Sequence, residues 1–133
     1  MINNQQSLEK FFCKSRDISG LKLSMRNFSG LRLSGNANCA EFTGCNMRGA
    51  DLSGAKAENT NFVCADLTGV NLSGASAKGA NFRGANLSGA NVTGTNLKGA
   101  NMQGADLTGV KLPDYIKPEQ IIGAYSRLNC RTR

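Results

Sequence analysis

An apolar residue recurs at every fifth position over most of this chain. The series starts at Ile18, takes one four-residue step between Leu33 and Ala37, and then keeps its spacing to Leu112. All of these positions are apolar in a chain that is only 40% apolar, which chance gives on the order of once in a hundred million sequences. So short and regular a period indicates a solenoid, in which the repeated side chains build the fold.

The other positions of the five-residue unit are also regular. In the unit around Leu87, a small residue (Ala85) stands two places before it, Asn86 stands one place before it, and Gly89 follows. A helix is excluded for two reasons. A glycine inside a helix costs about 1 kcal/mol, and most units contain one. Apolar residues spaced five apart also do not line up on one face of a helix with about 3.6 residues per turn. In an extended segment Ala85 and Leu87 face inward and Asn86 faces water, while Gly89 lies at a turn.

A second period of twenty residues lies over the first, because Phe42, Phe62 and Phe82 repeat at that interval. Four units therefore make one coil, and about five coils make a rod roughly 24 Å long. The four-residue step predicts one distorted corner. Nine residues are predicted to fill the core: Phe28, Phe42, Phe62, Phe82, Leu52, Leu67, Leu72, Leu87 and Leu107.

The unit Ala-Asp-Leu-Thr-Gly, found at 65–69 and again at 105–109, resembles the pentapeptide-repeat family. The resemblance covers residues 40–112 without a break and extends back to about residue 16. It implies an all-β fold, a right-handed quadrilateral β-helix. The predicted solenoid spans 16–114, with an N-terminal cap at 1–15 and a C-terminal cap with a basic tail at 115–133.

Both ends are predicted to carry short helices. Residues 5–14 have apolar side chains at helical spacing, and Pro118 suits the first turn of a second helix. The C-terminal helix is interpreted either as a cap or as a homodimer surface, and the family resemblance supports the second because related proteins often dimerise through this end. The residues of this candidate interface are Tyr115, Ile116, Ile121, Ile122 and Tyr125.

The first coil departs from the pattern, because Arg16, Leu21, Arg26 and Leu31 stand at positions that are small elsewhere, and it is expected to be wider or frayed. An unpaired arginine is costly to bury, so the side chains of Arg16 and Arg26 are expected to turn toward the open end. The chain also has five cysteines, none of which repeats at the coil spacing. Free thiols in a reducing cytoplasm are therefore predicted.

The net charge of +7 lies at the two ends. Residues 1–35 contribute +4 and 115–133 contribute +3, whereas residues 36–114 carry six cations and six anions. A loose basic strip is predicted from Lys78, Arg83 and Lys98, interpreted as a solvated face or as a phosphate-binding strip. No apolar stretch is long enough to span a membrane, and Met1 to Gln6 lack a signal-peptide core.

Catalytic chemistry is not indicated. The chain has no histidine, and Asp51, Asp66 and Asp106 occupy the Asn/Asp position of the repeat, where wall hydrogen bonding explains them. A filled rod offers no concave site. No catalytic, cofactor-binding or metal-binding residue is predicted, and the protein is not expected to be an enzyme.

The sequence predicts a non-catalytic scaffold that binds an unidentified protein, placed in the cytoplasm or delivered into a host cell, since the resemblance includes bacterial effectors. The alternative, also from the resemblance, is a DNA mimic that binds gyrase and gives resistance to topoisomerase poisons. That mimicry needs acidic walls on a long rod, and these walls sum to zero charge. Direct nucleic-acid binding is disfavoured, because the basic segments lack interleaved aromatic residues.

Overall fold

Short extended segments, each followed by a two-residue turn, make up the repeats. The computed structural model describes residues 17–33 and 35–124. Parallel β-bridges join each extended segment to one on the neighbouring coil. Within the described residues the one helix is a 3-10 turn, Pro118–Gln120. The regular structure is therefore a stack of bridged coils rather than a sheet of long strands.

The bridges show how many units make a coil. Asp17 pairs with Asn36, nineteen residues on, and from Asn36 onward each bridge spans twenty residues, as in Asn36 with Lys56. The bridges form four columns, which we call walls 1 to 4. Wall 1 passes through residues 17, 36, 56, 76 and 96; wall 2 through 22, 41, 61, 81 and 101; wall 3 through 27, 46, 66, 86 and 106; wall 4 through 32, 51, 71 and 91. The predicted coil of four units is confirmed.

Backbone hydrogen bonds between successive coils hold the walls. On wall 2 the Phe62 N–H donates to the Asn81 carbonyl over 2.7 Å, and the Asn81 N–H donates back to the Thr60 carbonyl over 2.9 Å. Every coil is therefore tied to its neighbour along each wall, and the ends of the stack are where backbone groups need other partners.

The corners explain the glycines. The second residue of each turn has a φ near +60 to +70°, and glycine occupies most of these positions, since it adopts this conformation without steric cost. Met25, Cys39, Asn59 and Cys64 hold the same conformation at four corners. At Gly35 a bend replaces the turn, so the predicted distortion lies between walls 4 and 1, where coil 1 is one residue shorter.

All nine predicted core residues are buried. The Phe42 and Phe62 rings stack with centroids 5.5 Å apart, and Phe62 and Phe82 stack at 5.0 Å. Phe28 belongs to wall 3 and meets Phe42 edge-on at 5.8 Å. Three aromatic rings on wall 2 thus form a continuous column inside the rod, and Phe28 closes its N-terminal end.

Polar atoms that enter the core are hydrogen-bonded to the preceding coil. The buried Thr60 hydroxyl donates to the Ala37 carbonyl over 2.7 Å, and Thr95 donates to Leu72 over 2.6 Å. The Cys45 thiol donates to the Leu23 carbonyl over 2.9 Å, and burial raises the pKa of this thiol. Small polar residues fit the inward position because a carbonyl of the preceding coil accepts a hydrogen bond from their hydroxyl or thiol group.

The free-thiol prediction holds for Cys39 and Cys45 but is wrong for Cys64, which is disulfide-bonded. Its partner is not among the described residues. Coil spacing excludes only a disulfide between stacked cysteines, whereas a corner such as that of Cys64 is half-exposed and can be reached from outside the coil. The cysteines of this chain therefore do not indicate a reducing compartment.

Several predictions fall outside the described residues: the N-terminal helix at 5–14, the side chain of Arg16, and Tyr125 with the rest of the basic tail. Arg26 is half-buried in coil 1. Among residues 17–33 and 35–124 the structure holds no helix whose length and hydrophobicity would let it cross a lipid bilayer.

Candidate interaction surfaces

The outward Asn and Asp side chains of the walls stabilise the turns. Asn81 Oδ1 accepts a hydrogen bond from the Arg83 N–H over 3.0 Å. Asp66 Oδ1 accepts from both the N–H and the hydroxyl of Thr68, over 3.1 and 2.6 Å. The same contact, from an Asn or Asp to the N–H two residues later, recurs along all four walls. These side chains therefore fix the backbone.

Two carboxylates of the walls, those of Asp51 and Asp17, are favoured in their ionised form. Hydrogen bonds from the side chain and backbone of Ser53 lower the pKa of Asp51 below its usual value. Ser19 lowers the pKa of Asp17 in the same way, through a hydroxyl contact of 2.7 Å and an N–H contact of 3.1 Å. A general acid needs a raised pKa, whereas the pKa values of these two carboxyl groups are lowered, so neither group is suited to act as a general acid.

The predicted basic strip is divided between two walls. Lys78 and Lys98 lie in one column on wall 1, since the Gly79 N–H next to Lys78 donates to the Lys98 carbonyl over 3.0 Å. Arg83 lies on wall 2, and all three side chains are exposed. The structure therefore brings the two lysines together on wall 1 and places the arginine on the adjacent wall 2.

The C-terminal segment pairs with the last coil on walls 1 and 2. The Tyr115 hydroxyl donates to the Thr95 carbonyl over 2.9 Å and accepts from the Leu97 N–H over 2.8 Å. On wall 2, the Met102 N–H donates to the Gln120 carbonyl over 2.7 Å. The Gln120 side chain also reaches two carbonyls of the last coil. This segment therefore satisfies an edge that the solenoid would otherwise leave open.

The helix predicted after Pro118 is a single 3-10 turn through Gln120, and the residues after it continue as a further piece of wall 2. Ile122 accepts from the Gly104 N–H over 3.0 Å, and Gly123 takes the positive φ of a corner. The last coil needs hydrogen-bond acceptors along this edge, and the carbonyls of Gln120 and Ile122, at the end of the 3-10 turn and in the turn that follows it, supply them.

The candidate interface residues divide into buried and exposed groups. Ile116 and Ile121 are partly buried against the core. Tyr115 is 46% exposed and Ile122 is 63% exposed. The structure therefore assigns two of these side chains to the cap and leaves two at the surface.

A groove of about 510 Å³ opens where the chain leaves the repeat. It is lined by Gly94, Thr95, Asn96, Lys98, Pro113 and Tyr115. The corresponding corner N–H groups of earlier coils are paired: Gly54 donates to Ser73 and Gly74 donates to Thr93, each over 2.9 Å. Gly94 makes no such bond among the described residues. Sequence reasoning missed this groove, although Pro113 marked the departure that creates it.

The described residues hold no cluster of three or more His, Cys, Asp and Glu side chains able to bind a metal ion.

Comparisons with known proteins agree with this architecture. The family model for pentapeptide repeats (8 copies) matches residues 27–62, 38–74 and 78–112, more than half of the chain. None of the curated proteins matches. The crystal structure of a pentapeptide repeat protein, Rfr23, from the cyanobacterium Cyanothece 51142 is 35% identical with a TM-score of 0.60, and the alignment covers 64% of this chain but 56% of that protein.

Two further solved structures have lower TM-scores. A pentapeptide repeat protein from the Arabidopsis thaliana thylakoid lumen is 35% identical over 72% of this chain and 71% of its own, with a TM-score of 0.43. QnrB1, a plasmid-mediated fluoroquinolone resistance protein, is 20% identical over 69% of this chain and 68% of its own, with a TM-score of 0.30. Neither of these two supports an argument about function here. The family match and the bridged coils of four units together establish that the chain belongs to the pentapeptide-repeat family.

Proposed function

We propose that this protein is a non-catalytic scaffold that binds another protein, with the right-handed quadrilateral β-helix of its family as the rigid support. The observation that carries the proposal is the use of wall side chains as structural hydrogen-bonding groups. Asp66 holds its own turn through Thr68, and Asp51 and Asp17 have lowered pKa values. What remains for function is the pattern of exposed side chains on a fixed frame.

The charge of the walls opposes the gyrase alternative. Residues 36–114 carry as many cations as anions, and the whole chain is at +7. A DNA-like surface requires an excess of negative charge along the rod. Delivery into a host cell as an effector is compatible with the scaffold proposal and needs no different surface.

The experiment is affinity capture with the full chain, followed by titration calorimetry with each purified candidate partner. Deleting residues 115–133 would also remove Tyr115 and Gln120 from the edge, so point variants are better. Charge reversal on wall 1 (Lys98→Glu) is compared with reversal on wall 3 (Arg48→Glu), where Arg48 already pairs with Asp66 at 3.4 Å. We expect a saturable complex that one of these variants weakens and the other retains.

Two results would overturn the scaffold proposal. One is that no captured protein binds the purified chain saturably. The other is that the purified chain protects gyrase from a quinolone in a supercoiling assay, which would restore the DNA-mimic alternative.

A homodimer through the C-terminal end is the second candidate, and the exposure of Ile122 favours it. Ile122→Asp places a charge on this surface and leaves the backbone bond from Gly104 intact. Sedimentation velocity should show a dimer that becomes a monomer in the variant. A wild-type chain that sediments as a monomer at high concentration would exclude this interface.

A further inference from the structure

The groove at the C-terminal end contains a backbone donor that has no acceptor among the described residues. In each of the two preceding coils, the glycine N–H at the corner between walls 4 and 1 donates to the next coil, from Gly54 to Ser73 and from Gly74 to Thr93. By register, Gly94 would donate to Pro113. The chain turns away at this point, so the groove takes the place of that bond.

Other groups of the groove are also donors. Asn96 Oδ1 accepts from the Lys98 N–H over 3.0 Å, which leaves the Asn96 NH₂ group available. Lys98 also lines the groove, and no Asp or Glu does. Lys78 lies one coil away in the same column of wall 1, at a spacing of about 4.8 Å. The groove therefore presents several donors and one positive charge, and a second positive charge lies one coil away.

The apolar part of the lining is fixed in position. The Tyr115 hydroxyl is engaged by both Thr95 and Leu97, so its half-exposed ring is held beside Pro113. An anchored ring loses little conformational entropy when a ligand packs on it. The groove thus combines a rigid apolar surface with unpaired donors.

We propose that this groove binds an extended acidic segment of a partner protein. A backbone carbonyl of the segment accepts the Gly94 N–H, as in addition of a strand to an open edge. An apolar side chain of the segment packs on Tyr115, and its carboxylates meet Lys98 and then Lys78. A partner of opposite charge fits better than a second copy, because each copy carries +7. This inference rests on the proposed scaffold function and names the chemistry of the partner.

The test is selection from a display library of random dodecapeptides against the full-length protein. Selected peptides are expected to be rich in Asp and Glu with an apolar residue between them. Lys98→Glu should weaken their binding about tenfold at low salt. Arg83→Glu is the matched control, since it makes the same charge change on wall 2, and it should leave the affinity within about twofold.

Amide NMR shifts locate the peptide independently of the variants. Titration with a selected peptide should move the Gly94 amide resonance downfield and leave that of Gly74, already paired with Thr93, in place. The inference is overturned if no acidic peptides are enriched, if Lys98→Glu and Arg83→Glu weaken binding equally, or if the Gly94 resonance does not move. If a captured protein partner binds equally well to Lys98→Glu, the scaffold function stands and the groove assignment fails.

Discussion

At the scale of single residues, the core depends on ring stacking along wall 2. Phe62 lies between Phe42 and Phe82, with centroid separations of 5.5 and 5.0 Å, and is fully buried. Phe62→Ala should lower the free energy of unfolding by about 3–5 kcal/mol, because coils tied above and below cannot collapse into the cavity. Urea denaturation followed by circular dichroism measures this change.

The control at the same position is Phe62→Leu, which keeps an apolar side chain of the kind found on walls 3 and 4. It should cost about 1 kcal/mol, the loss of two ring contacts with little cavity. If alanine and leucine at this position destabilise the protein equally, then ring stacking and cavity volume do not govern the stability of the core.

Asp51 carries a pH dependence of stability. Its pKa is lower in the folded protein than in the unfolded chain because Ser53 donates to the carboxylate. Ionised Asp51 therefore stabilises the fold above its unfolded pKa of about 3.9, and this contribution is lost as the pH falls through the folded value. As the pH is lowered below about 5, Asp51→Asn should lose less unfolding free energy than wild type.

The neighbouring coil of wall 4 supplies the reciprocal variant for this test. Asn71 already accepts from the Ser73 N–H over 3.0 Å and from its hydroxyl over 2.7 Å, so an amide fits the site at neutral pH. Asn71→Asp should add a pH-dependent loss of the same sign. Identical acid denaturation curves for wild type and both variants would contradict the role assigned to Asp51.

At the scale of the element, the C-terminal segment acts as an edge cap. The Tyr115 hydroxyl engages both the Leu97 N–H and the Thr95 carbonyl. Tyr115→Phe removes these bonds and should cost about 1–3 kcal/mol. Hydrogen exchange at the Leu97 amide should become faster, while the Leu87 amide, which donates to Asp106 over 2.8 Å, should be unaffected. Equal exchange at Leu97 in both proteins would show that this bond does not protect the edge.

The repeat could be predicted from sequence, and the segment that follows it could not. In the repeat, inward position, corner and coil length all follow from local spacing, so Phe62 and Gly89 were assigned without knowledge of neighbouring coils. After Leu112 the apolar pair Ile121 and Ile122 suits a longer helix or a turn against the last coil equally. The backbone donors of Met102 and Gly104 decide between them, and such long-range demand is not visible in the segment itself.

The groove could not be predicted for a related reason. Gly94 belongs to an ordinary repeat unit, and nothing in that unit distinguishes it from Gly74. Its donor lacks an acceptor because the chain departs at Pro113, nineteen residues later. Likewise, the division of the predicted basic strip depends on which wall each cation joins. The coil length of twenty residues predicts that Lys78 and Lys98 lie together. Arg83 lies one unit after Lys78 and therefore joins the next wall.

At the scale of the whole molecule, the four walls differ from one another, although every unit follows one pattern. Wall 1 carries Ala37, Ala57 and Ala77 at its inward position, whereas wall 2 carries phenylalanines in the same coils. A shift of one unit would therefore place a large ring in the narrow column. The register of twenty residues is enforced by this difference in side-chain volume as well as by the backbone ladder.

Two deletions separate register from length. Removing residues 76–95 joins Ala75 to Asn96, keeps every later residue on its own wall and leaves a four-coil solenoid. Removing only residues 76–80 joins Ala75 to Asn81 and brings Phe82 onto wall 1 above Ala57. The larger deletion should therefore retain a cooperative thermal transition and the circular dichroism of the coil, because solenoid stability is roughly a sum over stacked neighbours. The smaller deletion should melt at a lower temperature or without cooperativity. If the five-residue deletion proves the more stable of the two, then the units are interchangeable and the wall-specific packing described here does not set the register.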